Sequence, residues 1–110
     1  INIYNGLGIG EELILVSKIT SEMVSVIPNP FIKSIEITYA LPTDRRIKIA
    51  VYDIAGKKVK TLVDQKVTAG KYTQVWDGTD TYGRKLASGV YFAHIEIGDS
   101  KTIKKVIMVR

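Results

Sequence analysis

Two acidic residues that could do chemistry lie in residues 75–92, the stretch with the densest Asp and Gly turn chemistry of this chain: V-W-D-G-T-D-T-Y-G-R-K-L-A-S-G-V-Y-F. Asp77 and Asp80 supply carboxylate oxygens, which are the ligands that Ca²⁺ prefers. More distant candidates are Asp53, Asp64 and Asp99. Only two carboxylates are local, however, and Asp beside Gly more commonly caps its own turn. We therefore interpret Asp77, Gly78, Asp80 and Gly83 as turn residues and predict no metal site.

The residues that catalysis would need are also isolated. His94 is the sole histidine, the chain has no cysteine, and Ser88 stands in L-A-S-G-V rather than in a nucleophile elbow. The G-L-G-I-G of residues 6–10 is not followed by a predicted helix, so no helix N-terminus could hold a pyrophosphate. We predict no catalytic residues, no enzyme activity and no cofactor.

The elements that must position these residues are strands. Ile35, Ile37, Tyr39 and Leu41 recur at every second position, which is typical of a half-buried strand. The predicted strands are 11–19, 23–27, 35–41, 47–51, 59–63, 72–76, 90–97 and 102–109. Turn residues separate them, and no helical period is visible. Since each strand has one apolar face to bury, the sequence predicts an all-β antiparallel sandwich of about seven or eight strands.

The aromatic residues allow two interpretations. A platform for carbohydrate binding is one use of such side chains, here Trp76, Tyr72, Tyr82, Tyr91 and Phe92. Core packing is the interpretation we favour, because a single tryptophan at the end of a sandwich strand is most often buried. We therefore assign Trp76 and Tyr91 to the core and Gly89 to a corner.

Length and charge narrow the class of protein. The chain has 110 residues, 45% of them hydrophobic, which fits one folded domain. The net charge of +5 suggests nucleic acid as a partner, but the charges are spread out and the basic clusters are short. These clusters are Arg45-Arg46-Lys48 and Lys57-Lys58-Lys60. We predict no nucleic-acid partner and, because the longest aliphatic run is Leu13-Ile14-Leu15-Val16, no membrane span.

Several strings resemble a known family when taken together in order. They are N-P-F (29–31), I-x-I-T-Y-A-L-P (35–42), I-x-I-A-V-Y-D-I-A-G-K-K-V-K-T-L (47–62), A-G-K-Y-T-Q-V-W-D-G-T-D (69–80) and G-R-K-L-A-S-G-V-Y-F (83–92). The chain is similar, over about residues 28–110, to the type A C-terminal sorting domains of the type IX secretion system. These domains share an Ig-like, fibronectin-like fold with part of the flagellar hook-capping protein.

The resemblance implies a non-catalytic domain that directs a secreted bacterial cargo through the periplasm to the outer cell surface. Its implied partners are the sorting machinery and an upstream cargo domain in the same chain. The family's recognition element lies mainly in the last strand. By position this corresponds here to Lys104, Lys105, Val106, Ile107, Met108, Val109 and Arg110.

The domain division that follows is 1–27 as a spacer or the end of a preceding segment, with room for an added strand, and 28–110 as the sorting domain. Exposed edge strands also allow a homodimer by strand pairing. Two other functions stay open at this point: a structural module of the hook-capping or enzyme-accessory kind, and a carbohydrate or adhesin binding module.

Overall fold

Seven strands form the fold, and the structure, a computed structural model, describes residues 24–110. Their bounds are β1 Val24–Ile27, β2 Ile35–Leu41, β3 Arg45–Tyr52, β4 Lys58–Val67, β5 Gly70–Trp76, β6 Gly89–Ile97 and β7 Ser100–Met108. No helix that could span a membrane occurs within residues 24–110. The predicted strand 11–19 and the glycine segment 6–10 lie outside the described residues.

The strands form two antiparallel sheets, which confirms the predicted all-β sandwich. One sheet has the order β1-β2-β5 and the other the order β4-β3-β6-β7. The alternation seen in the sequence sets which side chains face inward, because successive residues of a strand point to opposite faces. In β2, for example, Ile35, Ile37, Tyr39 and Leu41 are all buried.

The core lies between the two sheets and is apolar. Its fully buried large side chains are Trp76, Tyr39, Phe31, Ile35, Ile37, Ile47, Ile49, Ile95, Met108, Val51 and Val106. Phe31 is the member that no strand supplies, since it lies between β1 and β2. The core therefore depends on one connecting segment as well as on the strands.

Strand β4 is longer than its apolar pattern predicts. The pattern ends at residue 63, whereas the strand continues to Val67. Its polar end is held by backbone pairing with β3, in which Asp64 lies opposite Lys48 and Lys66 opposite Arg46. Backbone hydrogen bonds require no apolar alternation, so this part of an edge strand leaves no hydrophobic signal in the sequence.

Two corners of the sandwich are built in the same way. Gly70 and Gly89 both have φ of 151°, a backbone conformation that favours glycine. Two residues later, the hydroxyl of Tyr72 donates to Thr68 O and that of Tyr91 to Ala87 O, each at 2.7 Å. The strings A-G-K-Y and S-G-V-Y are the sequence signal of this corner, which resembles the tyrosine corner of Ig-like domains.

Candidate recognition strand and its surroundings

The predicted recognition residues 104–110 begin within the last strand of the four-stranded sheet. On one side, β7 pairs with β6 along its whole length, from Ser100 opposite Ile97 to Met108 opposite Gly89. Its other side lies at the margin of the sheet. An edge strand presents backbone N–H and C=O groups to a partner, which is the requirement for strand addition.

The side chains of these residues divide between the core and the surface. Val106 and Met108 are each 1% exposed and pack in the core. The remaining members are exposed or half-buried: Lys104, Lys105, Ile107, Val109 and Arg110. The inward pair therefore holds the two sheets together, and only the other side chains are accessible to a partner.

The outer edge of β7 is occupied along its C-terminal half by residues 29–31, which we call the strap. Asn29 acts as a substitute peptide group: its Nδ2 donates to Lys105 O at 2.7 Å, and its Oδ1 accepts from Ile107 N at 2.9 Å. Phe31 N then donates to Ile107 O at 2.9 Å, and Val109 N donates to Phe31 O at 2.8 Å. The strap thus satisfies the backbone groups that a partner strand would otherwise use there.

The strap is fixed to the core by its aromatic residue. Phe31 is 1% exposed, and its ring centroid lies 5.6 Å from that of Trp76. Pro30 has no N–H and so leaves no donor unpaired between the two residues that bind β7. The sequence predicts residues 28–34 only as a connection between the strands 23–27 and 35–41. The sequence does contain a signal for the strap in Asn29-Pro30-Phe31: an amide side chain, then a residue without a backbone donor, then a large apolar residue.

No described residue pairs with the N-terminal half of the same edge. Backbone groups of alternate residues point to the same side of an antiparallel strand, and the strap binds those of 105, 107 and 109. The same alternation directs the N–H and C=O of Lys101 and Ile103, and the N–H of Lys105, away from β6. These groups, which we call the open edge, have no backbone partner among residues 24–110.

The end of the chain is held against the acidic turn. The backbone N–H of Arg110 donates to Ser88 Oγ at 3.0 Å, and its Nη2 donates to Gly78 O at 3.1 Å. Gly78 has φ of 78°, and a Cβ at this position would overlap Met108 Sδ and the Arg110 guanidinium. Glycine is therefore needed at position 78 both for its backbone conformation and for space.

The W-D-G-T-D turn is closed by its own side chains. Trp76 Nε1 donates to Thr79 O at 2.9 Å, and the Thr79 hydroxyl donates to Asp77 Oδ1 at 2.6 Å. The hydrogen bond from Thr79 lowers the pKa of Asp77 below its ordinary value, with a smaller effect from Lys60, whose Nζ lies 3.9 Å from Asp77 Oδ1. The carboxylate thus stabilises the turn as an anion.

Asp80 organises the next turn. Its Oδ1 accepts from the backbone N–H groups of Tyr82 and Arg84, each at 2.9 Å, and its Oδ2 accepts from Arg84 Nε at 2.8 Å. Burial acts to raise the pKa of Asp80, but the hydrogen bonds from Arg84 and Tyr82 outweigh it and lower the pKa overall. Gly83, with φ of 80°, completes this turn.

Both carboxylates are therefore engaged by protein donors. Asp53 behaves in the same way, since its Oδ1 accepts from Ala55 N and Lys57 N. Within residues 24–110, no group of three or more His, Asp or Glu side chains is placed to hold a metal ion. The chemical role that the geometry supports for these aspartates is turn capping.

The aromatic residues proposed as a ligand platform are scattered. Trp76 and Tyr91 are 1% and 7% exposed, and their ring centroids lie 5.3 Å apart in an edge-on arrangement. Tyr82, by contrast, is 80% exposed and lies beside the guanidinium of Arg84. The aromatic rings therefore form no common platform, because those with most area are enclosed between the sheets.

His94 lies on the outer face of the four-stranded sheet, half-buried beside Tyr52, with 4.1 Å between ring centroids. Burial lowers the pKa of His94, and the charge of Lys101 adds to this effect. The neutral imidazole is therefore favoured in the folded state. Ser88 Oγ, the other side chain considered for catalysis, accepts from the backbone of Arg110 and lies directly before the start of β6, away from His94.

The basic clusters do not combine into one surface. Arg45 and Arg46 begin β3, whereas Lys57 and Lys58 lie at its other end, where Tyr52 is opposite Lys58. Arg46 is paired with Asp64, with 2.7 Å between Nη2 and Oδ1. The two clusters are therefore separated by the length of a strand.

Two solved structures from Porphyromonas gingivalis are similar in fold. Dimeric latent PorU is 24% identical with a TM-score of 0.64, and the match covers 78% of this chain and 9% of PorU. PorZ, described as an essential bacterial surface component of the type-IX secretion system, is 20% identical with a TM-score of 0.54, and the match covers 81% of this chain and 12% of PorZ.

The chain thus spans about a tenth of the length of each of these two proteins. FlgD from P. aeruginosa is 22% identical with a TM-score of 0.48, over 77% of this chain and 66% of FlgD. The search of curated proteins gave no match.

The comparison with protein families is the one that decides the family. Residues 25–109 match the family described as the secretion system C-terminal sorting domain. The matched residues extend from within β1 to the residue after β7 and so include the strap, the W-D-G-T-D turn and the last strand. The chain belongs to the family of secretion system C-terminal sorting domains, as the resemblance of its motifs implied.

Proposed function

We propose that this domain directs the export of an upstream cargo by the type IX secretion system and its attachment at the outer cell surface. The observation that carries the proposal is the family match over residues 25–109, which spans the sandwich with its terminal edge strand. The sorting machinery is the partner. PorZ, a surface component of that system, contains a region of similar fold, which agrees with this assignment.

The sorting role is carried by surface recognition and involves no chemistry on a substrate. The carboxylates of Asp77 and Asp80 are engaged in their own turns, and His94 has an aromatic ring as its neighbour. We therefore propose that any catalytic activity of the full protein belongs to the cargo.

The sorting domain begins no later than β1 in this proposal. Val24 is 6% exposed and belongs to the core, and β1 pairs with β2 through four residues. We therefore place 24–27 within the folded unit, four residues before the division predicted at position 28. The expected spacer or preceding segment then comprises residues 1–23, which lie outside the described part of the chain.

A reporter fusion tests the proposal. The reporter carries a signal peptide at its N-terminus and the full 110-residue chain at its C-terminus, and is expressed in P. gingivalis. We expect the reporter to become accessible to protease added to intact cells. The same fusion in a strain without a functional type IX system should stay in the periplasm. Equal surface display of a reporter without the chain, or periplasmic retention of the folded fusion, would contradict the proposal.

Deletion of residues 104–110 is expected to block export, but it is not a selective test. The deletion removes Val106 and Met108 from the core, and emptying two such positions costs several kcal/mol. A block of export would then report unfolding as well as lost recognition. Variants at surface positions of β7 avoid this problem.

A further inference from the structure

We propose that the open edge of β7 binds an extended strand of a partner protein in which an apolar residue is flanked, two positions away on either side, by acidic residues. The inference deepens the proposed function and rests on it for assigning that strand to the secretion machinery. The chemistry of binding follows from β7 itself.

The backbone of β7 defines where such a strand fits. Lys101 and Ile103 direct both backbone groups outward, and Lys105 directs its N–H outward. The carbonyl of Lys105 already accepts from Asn29 Nδ2 at 2.7 Å. An added strand can therefore pair from the start of β7 up to Lys105, where the strap begins. The strap thereby sets one end of the binding site.

The side chains along the open edge define the sequence of the partner. Lys101 and Lys105 are exposed, and Ile103 between them is 52% exposed. The three side chains share one face because they occupy alternate positions. Residues directly opposite each other on paired strands interact, so acidic residues opposite the lysines and an apolar residue opposite Ile103 give the best match.

A second copy of the chain is a poor occupant of this site. The antiparallel register that pairs all three open-edge residues places Ile103 opposite itself and Lys101 opposite Lys105 twice. Like charges directly opposite each other are destabilising. The same lysines that select an acidic partner thus protect the edge from self-association, which is a common use of lysine on edge strands.

The other edge strands fit this role less well. β1 contributes only four residues to the described part of the chain. β4 pairs with β3 through irregular registers, and its Val59 O already accepts from Thr81 N. β5 presents Lys71, Thr73 and Val75 on its exposed face, so it has one cation rather than a pair. Of the edge strands within residues 24–110, only β7 combines open backbone groups with paired cations around an apolar residue.

Peptide binding to the purified full chain tests the inference. The probes are two short synthetic peptides with the cores Glu-Thr-Val-Thr-Glu and Lys-Thr-Val-Thr-Lys, compared at low ionic strength, where surface charges are least screened. Binding is followed by NMR of the isotope-labelled chain. We expect the acidic peptide to bind about tenfold more tightly than the basic one, with shifts at the amides of the open edge.

Charge reversal provides the matched variants. Lys101→Glu with Lys105→Glu should invert the preference, so that the basic peptide binds more tightly. Lys66→Glu with Lys71→Glu changes the net charge equally at exposed lysines of β4 and β5, and should preserve the preference for the acidic peptide. Ile103→Pro removes one outward N–H without removing a bond to β6, so it should weaken binding of both peptides.

Each outcome bears on the inference. Equal affinity for the two peptides, inversion by the control pair, or shifts confined to another edge would overturn it. Concentration-dependent dimerisation through β7 would assign the edge to a second copy instead. The reporter fusion separates this result from the proposed function: surface display without a peptide preference refutes only the inference, and a peptide preference without surface display refutes only the sorting role.

Discussion

Replacement of Trp76 by alanine should severely destabilise the domain. Trp76 is 1% exposed, and its ring lies against Phe31 and Tyr91 with centroid distances of 5.6 and 5.3 Å. Truncation of a buried tryptophan costs about 3–5 kcal/mol through lost burial and the cavity left behind. The loss of the hydrogen bond from Nε1 to Thr79 O falls within that range, because about 1 kcal/mol is typical of such a bond.

The expected loss is a large part of the stability of a small domain, which is about 5–15 kcal/mol in total. For a domain of this size, each kcal/mol changes Tm by roughly 4–8 °C, so Tm should fall by about 12–40 °C. Urea unfolding should be followed by far-UV circular dichroism, because Trp76 is the only tryptophan and its fluorescence disappears with the substitution.

Two further variants make the measurement selective. Trp76→Phe keeps a ring in the core but loses the indole N–H, and should cost about 1–2 kcal/mol. Ile54→Ala is a surface control, because it truncates an apolar side chain that is 78% exposed, and should change stability by no more than about 0.5 kcal/mol. A loss below about 1 kcal/mol for Trp76→Ala would refute the assignment of Trp76 to the core and restore the ligand-platform interpretation.

The remaining predictions concern one turn and one titration. Gly78→Ala should destabilise the domain more than Gly83→Ala. Alanine at either position costs about 1–2 kcal/mol because the backbone has positive φ, but only at position 78 does the added Cβ also meet the side chain of Met108. Equal losses in urea unfolding would show that the contact is unimportant. The folded state lowers the pKa of His94. The free energy of unfolding should therefore be independent of His94 titration above about pH 6.5, and should fall as the pH drops through and below that value. The urea midpoint should be lower at about pH 5.5 than at about 7.5, and His94→Gln should abolish the difference; a midpoint that rises on acidification would contradict the direction of the pKa shift.

The last strand shows how far sequence reasoning extends to the candidate site. Alternation predicted a strand over 102–109, and β7 runs from Ser100 to Met108. Apolar residues occur on both parities of this strand, so the sequence does not show which parity faces the core. The opposing sheet decides this, because Val106 and Met108 lie on the side that the other sheet covers.

No local sequence pattern predicts the contacts of the strap. Asn29 and Lys105 are separated by 76 positions in the chain, yet their hydrogen bond determines which part of the terminal edge is open. A side-chain amide can bind any backbone group that is brought to it. The partner of the Asn29 amide is therefore determined by where β7 lies in the folded domain.

The sequence by itself determined the strands, the turns and the family, since alternation, turn chemistry and motif order are properties of neighbouring residues along the chain. Only the tertiary structure decided which backbone groups stay open to a partner. The open edge exists because β7 has β6 on one side and the strap on half of the other. Hydrogen bonds and burial at a sheet margin depend on segments distant in sequence, and these come together only when the two sheets close over their shared core.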